Sequence, residues 1–145
     1  MRRAWAWAAL GAALAGCSPA PAPDEEALER YHRANNLFER RLFREAIPDY
    51  EFALSIRDRL KDAYYRLALC HEELGEESRA IGVLERARRV DRHDETALRN
   101  LGRLYARKGF VEEAIRAWKD LQEVRPGDEA VRAEIARLEG LRERK

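Results

Sequence analysis

The sequence predicts an all-α solenoid, a stack of antiparallel helix pairs, and three observations predict it. First, landmarks recur at a 34-residue period: Ala46-Ile47, Ala80-Ile81 and Ala114-Ile115, then Tyr50, Leu84 and Trp118, then Ala53, Ala87 and Leu121, then Ile56, Val90 and Val124. Agreement of several registers across three copies marks a repeated unit whose apolar face is covered only by stacking on its neighbours. Second, apolar residues inside each copy fall three and four apart, the spacing of an amphipathic helix. Third, helix breakers stand between the segments, at Gly75, Gly109 and Pro126-Gly127.

The chain of 145 residues is long enough for one domain. Charged residues make up 38%, yet 28 Lys and Arg against 27 Asp and Glu leave a net charge of +1. Interspersed signs describe solvated helices, and no single-sign field points to nucleic acid. A 46% hydrophobic fraction is sufficient for a packed core.

The N-terminus reads as an address rather than as part of the fold. Arg2 and Arg3 precede an apolar run, Ala4 to Ala15. That run is shorter than the ~20 residues needed to span a hydrocarbon core, so residues 1–16 have the pattern of a secretory signal peptide. They lead into Leu14-Ala15-Gly16-Cys17, which resembles a bacterial lipobox. The resemblance implies cleavage before Cys17, diacylglycerol on its thiol and an acylated amino terminus, such as palmitate. Two or more acyl chains hold a protein stably on a bilayer. Residues 17–24 then form a Pro/Ala-rich linker that does not continue into a helix and spaces the domain roughly 20 Å from the lipid. Residue 18 is Ser, not the Asp that many lipoproteins retained in the inner membrane carry. The same resemblance therefore implies a bacterial envelope protein, on the outer membrane and facing the periplasm.

In chain order, the spacing predicts a first helix from about Glu25 to Arg40, with Asp24 as N-cap and Tyr31, Ala34, Leu37 and Phe38 inward. A second, about Arg44 to Arg57, has Ala46, Tyr50, Ala53 and Ile56 inward and Pro48 early in its course. The next copy buries Tyr64, Leu67, Ala68 and His71, stops near Gly75, then buries Ala80, Val83, Leu84 and Ala87. The third buries Leu98, Leu101, Gly102 and Tyr105, turns at Gly109, and buries Ala114, Trp118 and Leu121. A last helix, about Asp128 to Glu143, carries Val131, Ile135, Leu138 and Leu141 on one face and Arg132, Glu134, Arg137 and Arg142 on the other. One covered face and one wet face describe a capping helix.

The third copy resembles a tetratricopeptide repeat through Leu101-Gly102, Tyr105, Gly109, Ala114, Trp118 and Pro126. The resemblance covers residues 25–143, as repeats at about 27–60, 61–94 and 95–128 and a capping helix at 128–143. It implies a tetratricopeptide-repeat α-solenoid that binds proteins. The second copy departs from the pattern with Arg92 in place of Pro. The first departs further, with Arg30 and Arg33 at usually apolar positions and Arg41 at the turn Gly.

The residues offer no catalytic constellation and imply no enzyme, cofactor, metal or small-molecule substrate. His71-Glu72-Glu73 lacks the second His that zinc proteases need. His71 reads as a core histidine and Cys70 as a small buried hydrophobe. His93, beside Asp91 and Asp94, is a weak metal pattern. The resemblance places a partner in a groove lined by the first helix of each pair, at Tyr31, Asn35 and Phe38, at Tyr65, Arg66 and Leu69, and at Arg99, Asn100, Arg103 and Arg107. Arg99, Arg103 and Arg107 are spaced to form one stripe. Two readings stand for it: arginines that grip the carboxylates of an acidic segment, or arginines that are solvated or paired with Glu72, Glu73 and Asp62. Chaperone-binding members carry a clamp of Lys and Asn, then Asn, then Lys and Arg. Those places here hold Tyr31, Asn35, Arg66, Thr96 and Asn100, and only Asn35 matches. The expected function is a non-catalytic adaptor or scaffold in envelope assembly. The alternatives are a self-associating structural lipoprotein and an accessory that tethers a cell-wall enzyme.

Overall fold

The computed structural model describes residues 22–144 as seven helices: α1 (Pro23–Glu39), α2 (Phe43–Ile56), α3 (Lys61–Glu73), α4 (Glu77–Val90), α5 (Glu95–Arg107), α6 (Val111–Val124) and α7 (Glu129–Arg142). No strand occurs among the described residues. The expected signal peptide, Cys17 and most of the expected linker lie outside them. Each helix packs on the next, and α1 also touches α3. The element starts repeat as the sequence does: 43, 77 and 111 for the second helices, 61, 95 and 129 for the first helices from α3 onward.

The turn inside each pair is the same object three times. Leu42 N–H donates to Leu37 C=O at 2.9 Å, Glu76 to His71 at 2.8 Å and Phe110 to Tyr105 at 2.9 Å. These six-to-one bonds close the helix with one residue in the left-handed region. Gly75 and Gly109 fill that place at φ 74 and φ 77, and Arg41 fills it at φ 60. The first copy thus keeps the turn without the glycine. Between pairs, Asp94 Oδ1 accepts from Ala97 N–H at 3.0 Å, and Asp128 Oδ1 from Ala130 and Val131 N–H at 3.0 and 3.3 Å. Both carboxylates satisfy donors that a helix start leaves unpaired.

The core follows the predicted registers. Ala34 and Tyr50, Ala68 and Leu84, and Gly102 and Trp118 are the small and large members of three equivalent contacts, and all but the glycine lie in the buried clusters. A Cβ built on Gly102 would stand 2.6 Å from the Trp118 ring, so only glycine lets the indole lie there. One cluster runs through α1–α6, and a second joins Leu98, Ile115, Trp118 and Leu121 to Val131, Ile135 and Leu138 of α7. Each of these α7 side chains contributes about 1.5–3 kcal/mol by leaving water.

Three expectations need correction. Ile56 and Leu141 are exposed, at 46% and 41%, rather than inward. Each lies at a helix end, where no next turn remains to cover it. The helical stripe instead buries Leu54 of α2, and Ala27 of α1. Asp24 is not the first cap: α1 starts inside the expected linker, with Pro23 at its first position, where its missing N–H costs nothing. Glu25 accepts from Ala22 N–H at 3.4 Å.

Candidate protein-binding groove

The groove positions of the first two copies come together around Arg66. Its guanidinium donates to Glu39 at 2.8 Å and to Asp62 at 2.9 Å, and lies 5.1 Å from the Phe38 ring centroid. Tyr31 donates its hydroxyl to the same Asp62 at 2.7 Å. Hydrogen bonding to Glu39 raises Arg66 further above its ordinary value, so it stays charged. Burial raises the Tyr31 phenol. Asn35 Oδ1 accepts from the buried Tyr50 hydroxyl at 2.7 Å, and its amide lies beside the Tyr31 phenol. Tyr31 and Phe38 are half-buried and rest on the core. Tyr65 and Leu69 are half-buried on α3 and belong to neither cluster. Their apolar surface has no packing role that accounts for it.

The arginine stripe exists, and each of its members meets a carboxylate. Arg103 and Arg107 both reach Glu72, at 3.0 and 2.9 Å, and Arg107 also holds Glu77 at 2.6 Å. Arg99 lies 3.4 Å from Asp128. Asn100 donates to Thr96 C=O at 2.7 Å and accepts from Arg103 at 3.0 Å. These pairs bridge neighbouring repeats, as Arg66–Glu39 does. The stripe is therefore a ladder of inter-repeat ion pairs, half-exposed, with each rung worth roughly 0–1 kcal/mol.

The far end of this face holds residues that the sequence reading placed only on a wet capping surface. Glu134 and Arg137 of α7 close a cleft of about 550 Å³ with Arg99, Arg103, Arg107 and Trp118. The signal was present in the period: Arg137 follows Arg103, and Leu138 follows Leu104, by one repeat length. So α7 is the first helix of a further repeat, and it extends the groove as well as capping it. The Trp118 Nε1–H, buried against Gly102, has no partner among the described residues.

The remaining candidates are structural. His71 is 3% exposed, and its Nδ1 lies 2.8 Å from Glu76. Cys70 is fully buried, and burial pushes its thiol up to about 12, which suppresses the reactive thiolate. The described residues hold no cluster of three metal-ligating side chains, and none of their helices is long and apolar enough to cross a membrane.

Comparison with known proteins bears on this geometry. The family model of the tetratricopeptide repeat matches residues 61–104. The second tetratricopeptide-repeat domain of human RPAP3, in complex with an HSP70 peptide, superimposes with a TM-score of 0.68 at 17% identity, covering 81% of this chain and 98% of that one. The fold is a tetratricopeptide-repeat solenoid. The first such domain of Spaghetti (RPAP3), bound to an HSP90 peptide, gives 0.68 at 18% identity, over 81% of this chain and 94% of that one. The C-terminal repeat domain of a Plasmodium falciparum putative FK506-binding protein gives 0.65 at 22%, over 83% and 91%. No curated protein matches the chain. Repeat domains of this kind are generally non-catalytic interaction modules.

Proposed function

We propose that this protein is a lipid-anchored adaptor of the bacterial cell envelope. It is held through Cys17, on the outer membrane's periplasmic side, and grips a protein partner in the face lined by α1, α3, α5 and α7. The observation that carries the reading is the partly exposed apolar surface of Tyr65 and Leu69, set beside the charge-locked Arg66. Apolar anchors next to a fixed fork of donors favour a segment that alternates apolar and carboxylate or carbonyl groups. Two relatives of the same fold are bound to peptides, which supports a peptide-like ligand class. The chaperone clamp is not inferred here, because Tyr31, Arg66, Thr96 and Asn100 stand at four of its five places. Exchangeable ion pairs leave Arg99, Arg103 and Arg107 able to turn to an acidic ligand once Glu72 and Asp128 are displaced. Adaptor work also explains the lipobox: an anchor concentrates the groove where envelope complexes are assembled.

The test is crosslinking in intact cells followed by mass spectrometry, comparing wild type with the double variant Tyr65→Ser, Leu69→Ser. These side chains are outside the core, so the variant retains its helical circular dichroism. Loss of one specific partner places binding on this face. Equal capture by both proteins moves it elsewhere. In parallel, Cys17→Ser is expected to leave the membrane fraction, and retention at wild-type levels counts against the anchor.

A further inference from the structure

We propose that the pocket between the starts of α3 and α5 receives an arginine side chain of the protein partner, whose guanidinium pairs with Asp94. The proposal rests on the groove reading, since the pocket opens beside Tyr65. It is a cavity of about 400 Å³ walled by Tyr64, Tyr65, Leu84 and Ala97, with Asp62 and Asp94 among its polar residues. Asp94 is 8% exposed. Its Oδ1 caps α5 by accepting from Ala97 N–H at 3.0 Å. Its Oδ2 has no partner among the described residues, yet it is not sealed from the pocket. A carboxylate oxygen drawn this far out of water gains much from a charged donor.

The solenoid itself shows which donor fits, because the same joint recurs one repeat length later. Asp128 follows Asp94 in the period and caps α7 with its Oδ1 in the same way. There, Oδ2 accepts from the Arg99 guanidinium at 3.4 Å. One repeat length before Arg99 stands Tyr65, which gives Asp94 no hydrogen bond and supplies an aromatic wall instead. The pocket is thus the place of an arginine that the second copy lacks. The cations already nearby are engaged elsewhere. Lys61 is held by Asp91 at 2.5 Å, Arg66 by Glu39 and Asp62, and Arg86 lies over the Tyr64 ring at 5.7 Å. Glu39, Asp62, Asp91 and Asp94 outnumber Lys61, Arg66 and Arg86, so the charge balance here favours an incoming cation. Arginine suits the walls better than lysine: its weakly hydrated, planar head stacks on a tyrosine ring while its stem lies on Leu84 and Ala97. A segment with a carboxylate at Arg66 and an arginine at Asp94 has its direction along the groove fixed.

The experiment titrates the nitrogen-15-labelled mature protein, in detergent, with N-acetyl-arginine amide, and with the uncharged N-acetyl-citrulline amide as control. The expected result is saturable amide shifts at Tyr65 and Ala97 with the arginine probe and not with the citrulline probe. Asp94→Asn still caps α5 but loses the charge, so binding weakens roughly tenfold, as for one charge-assisted hydrogen bond. Tyr65→Arg installs the donor of the third copy in the second. Tyr65 belongs to neither core cluster, so this variant keeps its fold and excludes the probe by filling the site from within. Equal binding of the two probes, absence of saturation, or wild-type affinity in Asp94→Asn overturns the proposal. Crosslinking in intact cells separates it from the reading it rests on. Capture of the partner is expected to fall in Asp94→Asn and in Tyr65→Arg. A partner lost in the Tyr65→Ser, Leu69→Ser variant but captured normally in Asp94→Asn overturns the arginine pocket and leaves the groove standing. Capture that none of the three variants changes removes the groove, and the proposal with it.

Discussion

At the scale of single residues, the most constrained contact is Gly102 under Trp118. The equivalent pairs, Ala34 with Tyr50 and Ala68 with Leu84, show that a methyl group is accepted wherever the partner is not an indole. Gly102→Ala adds helix propensity of ~1 kcal/mol but places Cβ 2.6 Å from Trp118 Cε2 and Nε1. The indole is 7% exposed and wedged among Leu98, Ile115 and Leu121, so it cannot move aside freely. Overpacking of this kind costs about 1–3 kcal/mol, and the sum is destabilising. Adding Trp118→Leu to Gly102→Ala recreates the pair of the preceding copy and abandons no hydrogen bond, since Trp118 Nε1–H makes none. Urea denaturation is expected to show the single Gly102→Ala variant less stable than wild type, and Trp118→Leu less harmful in its presence than alone. Strict additivity would mean that the two residues do not constrain each other.

At the scale of elements, the first repeat shows what the sequence made legible and what it did not. Helix count, turn places and the registers of α3 to α6 were readable because periodicity is local and repeated three times. Ile56 and Leu141 were misassigned because a helical stripe predicts a direction, and burial needs a neighbour to be there. Arg30 and Arg33 looked like damage to the pattern. They are instead the partners of Asp49, which is 2% exposed on α2, with Arg30 3.3 Å away and Arg33 joined to both carboxylate oxygens. Nothing local announces a pair separated by 16 and 19 positions. The groove was legible in its residues but not in its pairing: the three arginines were visible as a stripe, and their fixed carboxylates only once the helices were stacked. The Asp49 pair yields an ordering. Asp49→Ala frees two arginines whose side chains are 34% and 59% exposed and can return to water, costing about 1.5–3 kcal/mol in charge-assisted bonds. Arg30→Ala with Arg33→Ala strands a buried carboxylate, at about 3–5 kcal/mol. The arginine double variant should therefore have the lower urea midpoint, although it removes the more exposed side chains. A second prediction concerns the start of α7. The N–H of Val131, aided by Arg99, holds the Asp128 carboxyl below its ordinary value. A depressed folded pKa gives stability that is present above the unfolded carboxylate range and lost as pH falls through the folded value. Asp128→Asn still caps but has no charge to lose. Its stability should fall less steeply than wild type below about pH 4, and parallel acid profiles would remove Asp128 from the account.

At the scale of the molecule, a stack of repeats must end, and each end here is closed differently. At the start, Arg30 covers Phe52 at 4.6 Å while Arg33 neutralises Asp49, so the outer surface of the first pair is polar. At the other end α7 lays Val131, Ile135 and Leu138 on the last pair and turns Arg132 and Arg137 to water. Exposed stack ends invite another copy, and closed ones do not. The full mature protein is therefore expected to sediment as a monomer at all concentrations in detergent. Removing residues 129–145 withdraws three buried side chains worth about 5–9 kcal/mol together, a large part of the 5–15 kcal/mol that stabilises a typical domain. It also uncovers Leu98, Ile115, Trp118 and Leu121 as one apolar surface. The truncated chain should lose its monomer, either by association or by unfolding. Trp118, the sole tryptophan after residue 16, distinguishes the two. Association through the uncovered face keeps its emission blue and raises the sedimentation coefficient with concentration, while unfolding shifts it red. A truncated protein that stays monomeric with unchanged emission would show that α7 is dispensable as a cap and that its place in the solenoid is to complete the groove with Glu134 and Arg137.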